Sequence, residues 1–126
     1  MKHKTENGLQ ETIEKLIKAG TSFDLVALDE LYHEDLQIIM FTAEKQKMLA
    51  NKTAFMEMFA AKKEANEQDL NTWSAIHHIQ VKGDTGLVIL DRKVNLTGTE
   101  NLINLMIDFI WKDNRWQVTR EVILTP

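Results

Sequence analysis

The sequence predicts an α+β cone: three helices packed in the hollow of a strongly curved, mostly antiparallel sheet. Three observations predict it. Apolar residues recur with helical spacing in three stretches before residue 65. From residue 72 onward the period falls to two, in four runs separated by turn signals. Each run is about ten residues long, beyond the common strand length of about five or six, and long antiparallel strands twist and coil.

The elements follow in order. Residues 1–8 lack an apolar pattern and read as a mobile N-terminus, with a single domain over 9–126. Leu9, Ile13, Leu16 and Ile17 share one helical face, and Gly20 stops that helix. Ser22 or Asp24 caps a second helix, whose Leu25, Leu28, Leu31 and Tyr32 share a face. The β-branched run 36–41 reads as a buried strand that turns at 43–46 toward Met48 and Leu49. Asn51 or Thr53 opens a third helix, with Phe55, Met58 and Phe59 along its inner line. The methionines read as gap-filling core.

In the strand region, Trp73, Ala75, His77, Ile79 and Val81 alternate with polar neighbours up to the Gly83-Asp84 turn. Val88, Leu90, Arg92 and Val94 form one face of the next run, which ends at Thr97-Gly98-Thr99. Ile103, Leu105, Ile107, Phe109 and Trp111 form the third, and Asp113-Asn114 turns into Trp116, Val118, Arg120, Val122 and Leu124. The opposite face also carries Leu87, Ile89, Leu102, Met106 and Ile110. A sheet apolar on both sides needs a second cover, so a homodimer through the convex face is expected.

Composition narrows the function. With 15 basic and 19 acidic residues the net charge is −4, which disfavours nucleic acid, whose binding needs a clustered basic surface. The absence of cysteine excludes disulfides, thiolate metal sites and a cysteine nucleophile. No run approaches the roughly 18 apolar residues of a membrane span, and the first residues lack a leader pattern. A cytoplasmic protein without a membrane partner is expected. The sequons at Asn51 and Asn95 are then accidental. The five glycines are scattered, so no phosphate loop forms and no cofactor is expected.

Four segments carry a family resemblance: Ala19-Gly20 with Leu31-Tyr32-His33-Glu34-Asp35, Asn51 to Phe55, Gly83 to Val88, and Trp111 to Val118. In that order, over residues 9–124, the chain resembles the nuclear-transport-factor-2-like superfamily, with its cystatin-like cone. The resemblance implies a scaffold shared by ketosteroid isomerases, SnoaL-like cyclases, limonene epoxide hydrolases, dehydratases and kinase association domains. By register, the isomerase tyrosine falls at Ile13, its carboxylate base near Met40, and its acid near Ile107, one step from Asp108. Base and donor are therefore replaced, and ketosteroid isomerisation is not expected. Fold alone does not assign function.

Three ionisable residues interrupt the apolar strand faces: His77, Arg92 and Arg120. Lining the cone, they would form a pocket for a small acidic or carbonyl-bearing molecule, with the guanidinium forks as acceptor-binding groups. An inward arginine needs a partner: Asp108, Glu121, Asp35 or an anionic ligand. His77 is the candidate general acid/base, since imidazole titrates near neutrality, and Asp108 is a second catalytic candidate. His77 and His78, adjacent on a strand, are expected on opposite faces and unable to share a metal. No convergent metal-ligand spacing appears, so no metal is expected. Tyr32, Trp73, Met40, Phe59 and Trp111 complete the candidate lining, with simple core packing as the competing reading for each. The expected function is a pocket for a compact, partly apolar ligand. If it is an enzyme, the chemistry is cofactor-free isomerisation, cyclisation or dehydration. The alternative is a non-enzymatic dimerisation or interaction domain with a filled interior.

Overall fold

A computed structural model describes residues 3–94 and 100–126. The turn predicted at Thr97-Gly98-Thr99 and the sequon at Asn95 lie outside the described residues. Helix α1 spans Glu6–Thr21, α2 spans Leu25–Leu31 and α3 spans Lys52–Glu64. The strands are β1 (Tyr32–Phe41), β2 (Lys47–Asn51), β3 (Ser74–Lys82), β4 (Thr85–Val94), β5 (Asn101–Lys112) and β6 (Arg115–Leu124). They form one sheet in the order β2-β1-β6-β5-β4-β3, antiparallel throughout except for the parallel β1–β6 pair.

Each helix begins where a short polar side chain satisfies an orphan amide. Thr5 accepts from the Gly8 amide at 3.0 Å, Asp24 from Ala27 at 3.2 Å and Asn51 from Ala54 at 2.9 Å. Helix α1 starts at Glu6, three residues before the first apolar position, because its cap rather than its apolar line fixes the end. Tyr32 caps α2, its amide donating to the Leu28 carbonyl, and also opens β1, so the first strand is longer than the run 36–41. At the β5–β6 turn, Asp113 and Asn114 both take positive φ, as a two-residue hairpin requires. At Gly86 an added Cβ would stand 2.7 Å from Leu9 Cδ2, so a bare backbone lets α1 lie against β4.

The core fills the concave side. Leu9 and Ile13 from α1, Leu28 from α2, and Val88, Leu90, Ile107, Val118 and Trp116 from the sheet are essentially fully buried. Helix α3 contributes Phe55 and Phe59, which continue an aromatic line: Tyr32 to Phe55 at 5.6 Å and Phe55 to Phe59 at 5.1 Å, both edge-on. Such geometry adds about 0.5–1.5 kcal/mol per pair beyond burial.

Two β-bulges set which side chains enter that core. On β3, Ile76 pairs with Leu90 and His78 with Ile89, leaving His77 as an extra residue. On β6, Phe109 pairs with Val118 and Asp108 with Arg120, leaving Thr119 extra. One extra residue exchanges the two faces of everything beyond it. On β6, Trp116 and Val118 face inward before the bulge, and Glu121 and Ile123 after it.

Candidate functional site

One interior row of the sheet runs Ile79, Val88, Ile107, Glu121 and Ile38 across five strands. Glu121 is the single ionisable member, and it is 5 % exposed. It faces a cavity of about 70 Å³ walled by α1, α3 and strands β4 to β6, with Leu16, Ile17, Leu105 and Phe59 among its apolar lining. Tyr32 and Arg92 line the same space.

These three groups govern one another. Burial pushes the Glu121 carboxyl up to about 7, against the opposing pull of a hydrogen-bond interaction with the Tyr32 hydroxyl and the charge of Arg92. Burial first, then the neighbouring carboxylate, raises Tyr32 well above the ordinary phenol range, so it stays a neutral donor. Burial lowers Arg92, offset by Glu121 and Tyr32. The Arg92 guanidinium is directed elsewhere: its Nε donates to the Trp73 carbonyl at 3.1 Å and an Nη to the Asn71 carbonyl at 2.7 Å. Glu121 Oε2 has no hydrogen-bond partner among the described residues.

The sequence-predicted site residues divide between the two sides of the sheet. Arg92, Tyr32 and Phe59 are buried and line the cavity. Met40 points to the same side, packed against the core but outside the cavity lining. Trp111 packs edge-on against Trp116 at 5.3 Å, also away from the cavity. Trp73 is 42 % exposed beneath the Lys93 ammonium.

Arg120 and His77 are not interior residues. Arg120 lies on the convex face and pairs with Asp108, at 2.8 Å from Nε and 2.7 Å from an Nη. These two line an open convex groove of about 450 Å³ with Gln37, Gln80 and Lys82. His77 is exposed and meets Asp91 at 2.8 Å, and Asn104 donates to the other oxygen of Asp91 at 2.5 Å. Those contacts, His77 first, lower the Asp91 carboxyl. His78 reaches Gln80 on that same face, so the bulge puts both imidazoles outside. The predicted convergence of His77, Arg92 and Arg120 therefore does not occur.

Glu121 was legible only as a partner for an arginine. Val122, Ile123 and Leu124 are consecutive apolar residues, so alternation is silent about which of them points inward. The β3 bulge does leave a mark, since Ile76 and Ile79 are three apart where a regular strand needs an even spacing. His33, Glu34 and Asp35 also converge, with ligand atoms within 4.8 Å of one another, at the irregular β1–β6 pairing between Tyr32 and Gln37. There His33 Nδ1 accepts the Asp35 amide at 3.0 Å, so that nitrogen is engaged.

None of the described helices is long and apolar enough to cross a membrane. No curated protein matches the sequence significantly. Solved structures similar to this one include an NTF2-like protein from Cytophaga hutchinsonii, with TM-score 0.77 and 17% identity over 95% of this chain and 97% of that one. Another is an NTF2-like protein of unknown function from Silicibacter pomeroyi, with TM-score 0.75 and 19% identity over 94% and 92% of the two chains. At such identities the likeness establishes the fold: three helices on a six-stranded, mostly antiparallel NTF2-like sheet. The profile of the family described as "Putative lumazine-binding" matches residues 4–122, nearly the whole sequence, and the chain belongs to that family, on an NTF2-like fold.

Proposed function

We propose that this protein binds a compact, partly apolar small molecule in the interior of the cone, and that Glu121 recognises it. The observation that carries the reading is the buried Glu121 Oε2, which has no partner among the described residues. Buried polar atoms are nearly always satisfied, so a missing donor is expected at this oxygen. A cavity of about 70 Å³ has room for ordered water at that oxygen in the free protein. A ligand N–H or O–H replaces it, with the aliphatic walls receiving an apolar body.

The family description points to the same chemistry. A lumazine-type heterocycle carries an imide N–H flanked by carbonyls. The N–H suits a carboxylate acceptor, and a carbonyl suits the Arg92 guanidinium or the Tyr32 hydroxyl. If the ligand is also turned over, Glu121 is the group to move a proton, since a carboxyl near 7 exists in both forms at neutral pH. Tyr32 and Arg92 would then hold developing negative charge. His77 and Arg120 have no part in this reading.

Calorimetric titration at pH 7.5 with lumazine, and with simple cyclic imides, tests it. Wild type is expected to bind at least one of them, and Glu121→Leu to weaken that binding by roughly tenfold or more, as for a lost hydrogen bond to a charged group. Binding that Glu121→Leu leaves unchanged, or no binding in the set, counts against the interior site.

A second reading is favoured by the convex face. Ile89, Met106, Val122 and Ile39 form a continuous row across four strands, and Leu102, Met106 and Leu124 are 45 %, 39 % and 37 % exposed. A second copy covering this face would make the protein a dimer. That arrangement is compatible with a ligand inside, and on its own it would serve an interaction domain.

A further inference from the structure

The interior cavity is far smaller than the roughly 300 Å³ or more of ordinary ligand pockets. A ligand of ordinary size therefore requires one wall to move. Most of the wall is helix or paired strand. Among the described residues the exception is the segment 65–73 between α3 and β3, which has no helix or strand of its own. Its Leu70 side chain lines the cavity beside Gly20 and Thr21.

This segment is tied down at two banks. On the α1 side, the Leu70 amide donates to the Thr21 carbonyl at 2.9 Å. On the sheet side, Arg92 donates to the carbonyls of Asn71 and Trp73. Residues 65–69 and 71–73 are exposed, so few apolar contacts reinforce these bonds. A depression of about 490 Å³ borders the segment at Lys62, Glu67 and Glu100, leaving unfilled space beside it. Segments with few buried contacts and a handful of hydrogen bonds open at lower free energy than the whole fold. The cation on the sheet bank is itself a wall of the cavity, so the tie and the binding site share a residue.

We propose that segment 65–73 is the gate of the interior and that Arg92 is its latch. The idea rests on the interior being the binding site, but it can be tested without any ligand. The chain has no cysteine, so a thiol placed at cavity-lining Leu105 is unique. Iodoacetamide labelling of Leu105→Cys is expected to be slow and, at low urea, almost independent of urea, which marks a local opening. Adding Arg92→Met should raise the labelling rate by at least about tenfold, for two lost bonds to a charged donor. The urea slope should remain small. Arg92→Lys, which keeps the charge and one donor group, should fall between. If Arg92→Met does not fold, wild-type hydrogen exchange decides the matter. The Leu70 amide should then exchange by a low-urea-dependence opening, while the β4–β6 amides exchange only on global unfolding. Labelling or Leu70 exchange that follows global unfolding alone, or a rate unchanged by Arg92→Met, overturns the gate. Failure of lumazine to bind bears on the ligand and leaves these rates untouched.

Discussion

Glu121→Gln isolates the energetic consequence of placing a carboxyl in an apolar row. The folded-state carboxyl titrates at about 7 and the ordinary value is 4.5. Below pH 4.5 both folded and unfolded chains hold the proton. Between 4.5 and about 7 the unfolded chain releases it while the folded protein retains it. Unfolding is therefore favoured progressively as pH rises through that window, and the effect levels off above it. At about 1.4 kcal/mol per pH unit the full span corresponds to about 3 kcal/mol. Glutamine has nearly the same shape and cannot ionise, so it lacks this component. Urea unfolding of both proteins between pH 5 and 8 is the assay, with the difference between the two curves cancelling the histidines and exposed carboxylates. Wild type is expected to lose about 2–3 kcal/mol relative to Glu121→Gln across that range, with equal m-values. A difference that is flat, or one that grows in favour of wild type as pH rises, would refute the buried, raised carboxyl.

Two further predictions test the sheet. Deleting Thr119 makes the Asp108–Arg120 and Phe109–Val118 pairs consecutive and restores an unbroken ladder without moving Glu121 to the other face. The variant should fold, within about 2 kcal/mol of wild type, and keep the pH dependence described above; loss of that dependence would sink the bulge argument. Leu102→Lys with Met106→Lys sets two charges on the convex face at positions that are already exposed. Light scattering should show wild type as a dimer and the double variant as a monomer with a native circular dichroism spectrum, whereas a monomeric wild type would rule out the convex-face dimer.

The sequence determined the kinds of element and their order, because helix and strand periods differ and each is repeated over many residues. Leu9, Ile13, Leu16 and Ile17 are all buried, as their spacing requires, and so are Val88, Leu90, Ile103, Leu105, Ile107 and Phe109. Arg92 follows from the same logic: β4 is unbroken, so its parity carries from Val88 to Val94. Parity fails where one residue is inserted. His77 and Thr119 each add a residue to one strand only; the first shows in the sequence as the odd spacing of Ile76 and Ile79, and the second is hidden by the apolar run Val122 to Leu124. Tertiary structure alone decided that Arg120 faces outward, that Glu121 faces inward, and that Arg92 holds the segment 65–73. The size of the cavity was likewise beyond the sequence, since it is the small difference between the volume enclosed by the sheet and helices and the volume of the side chains that fill it.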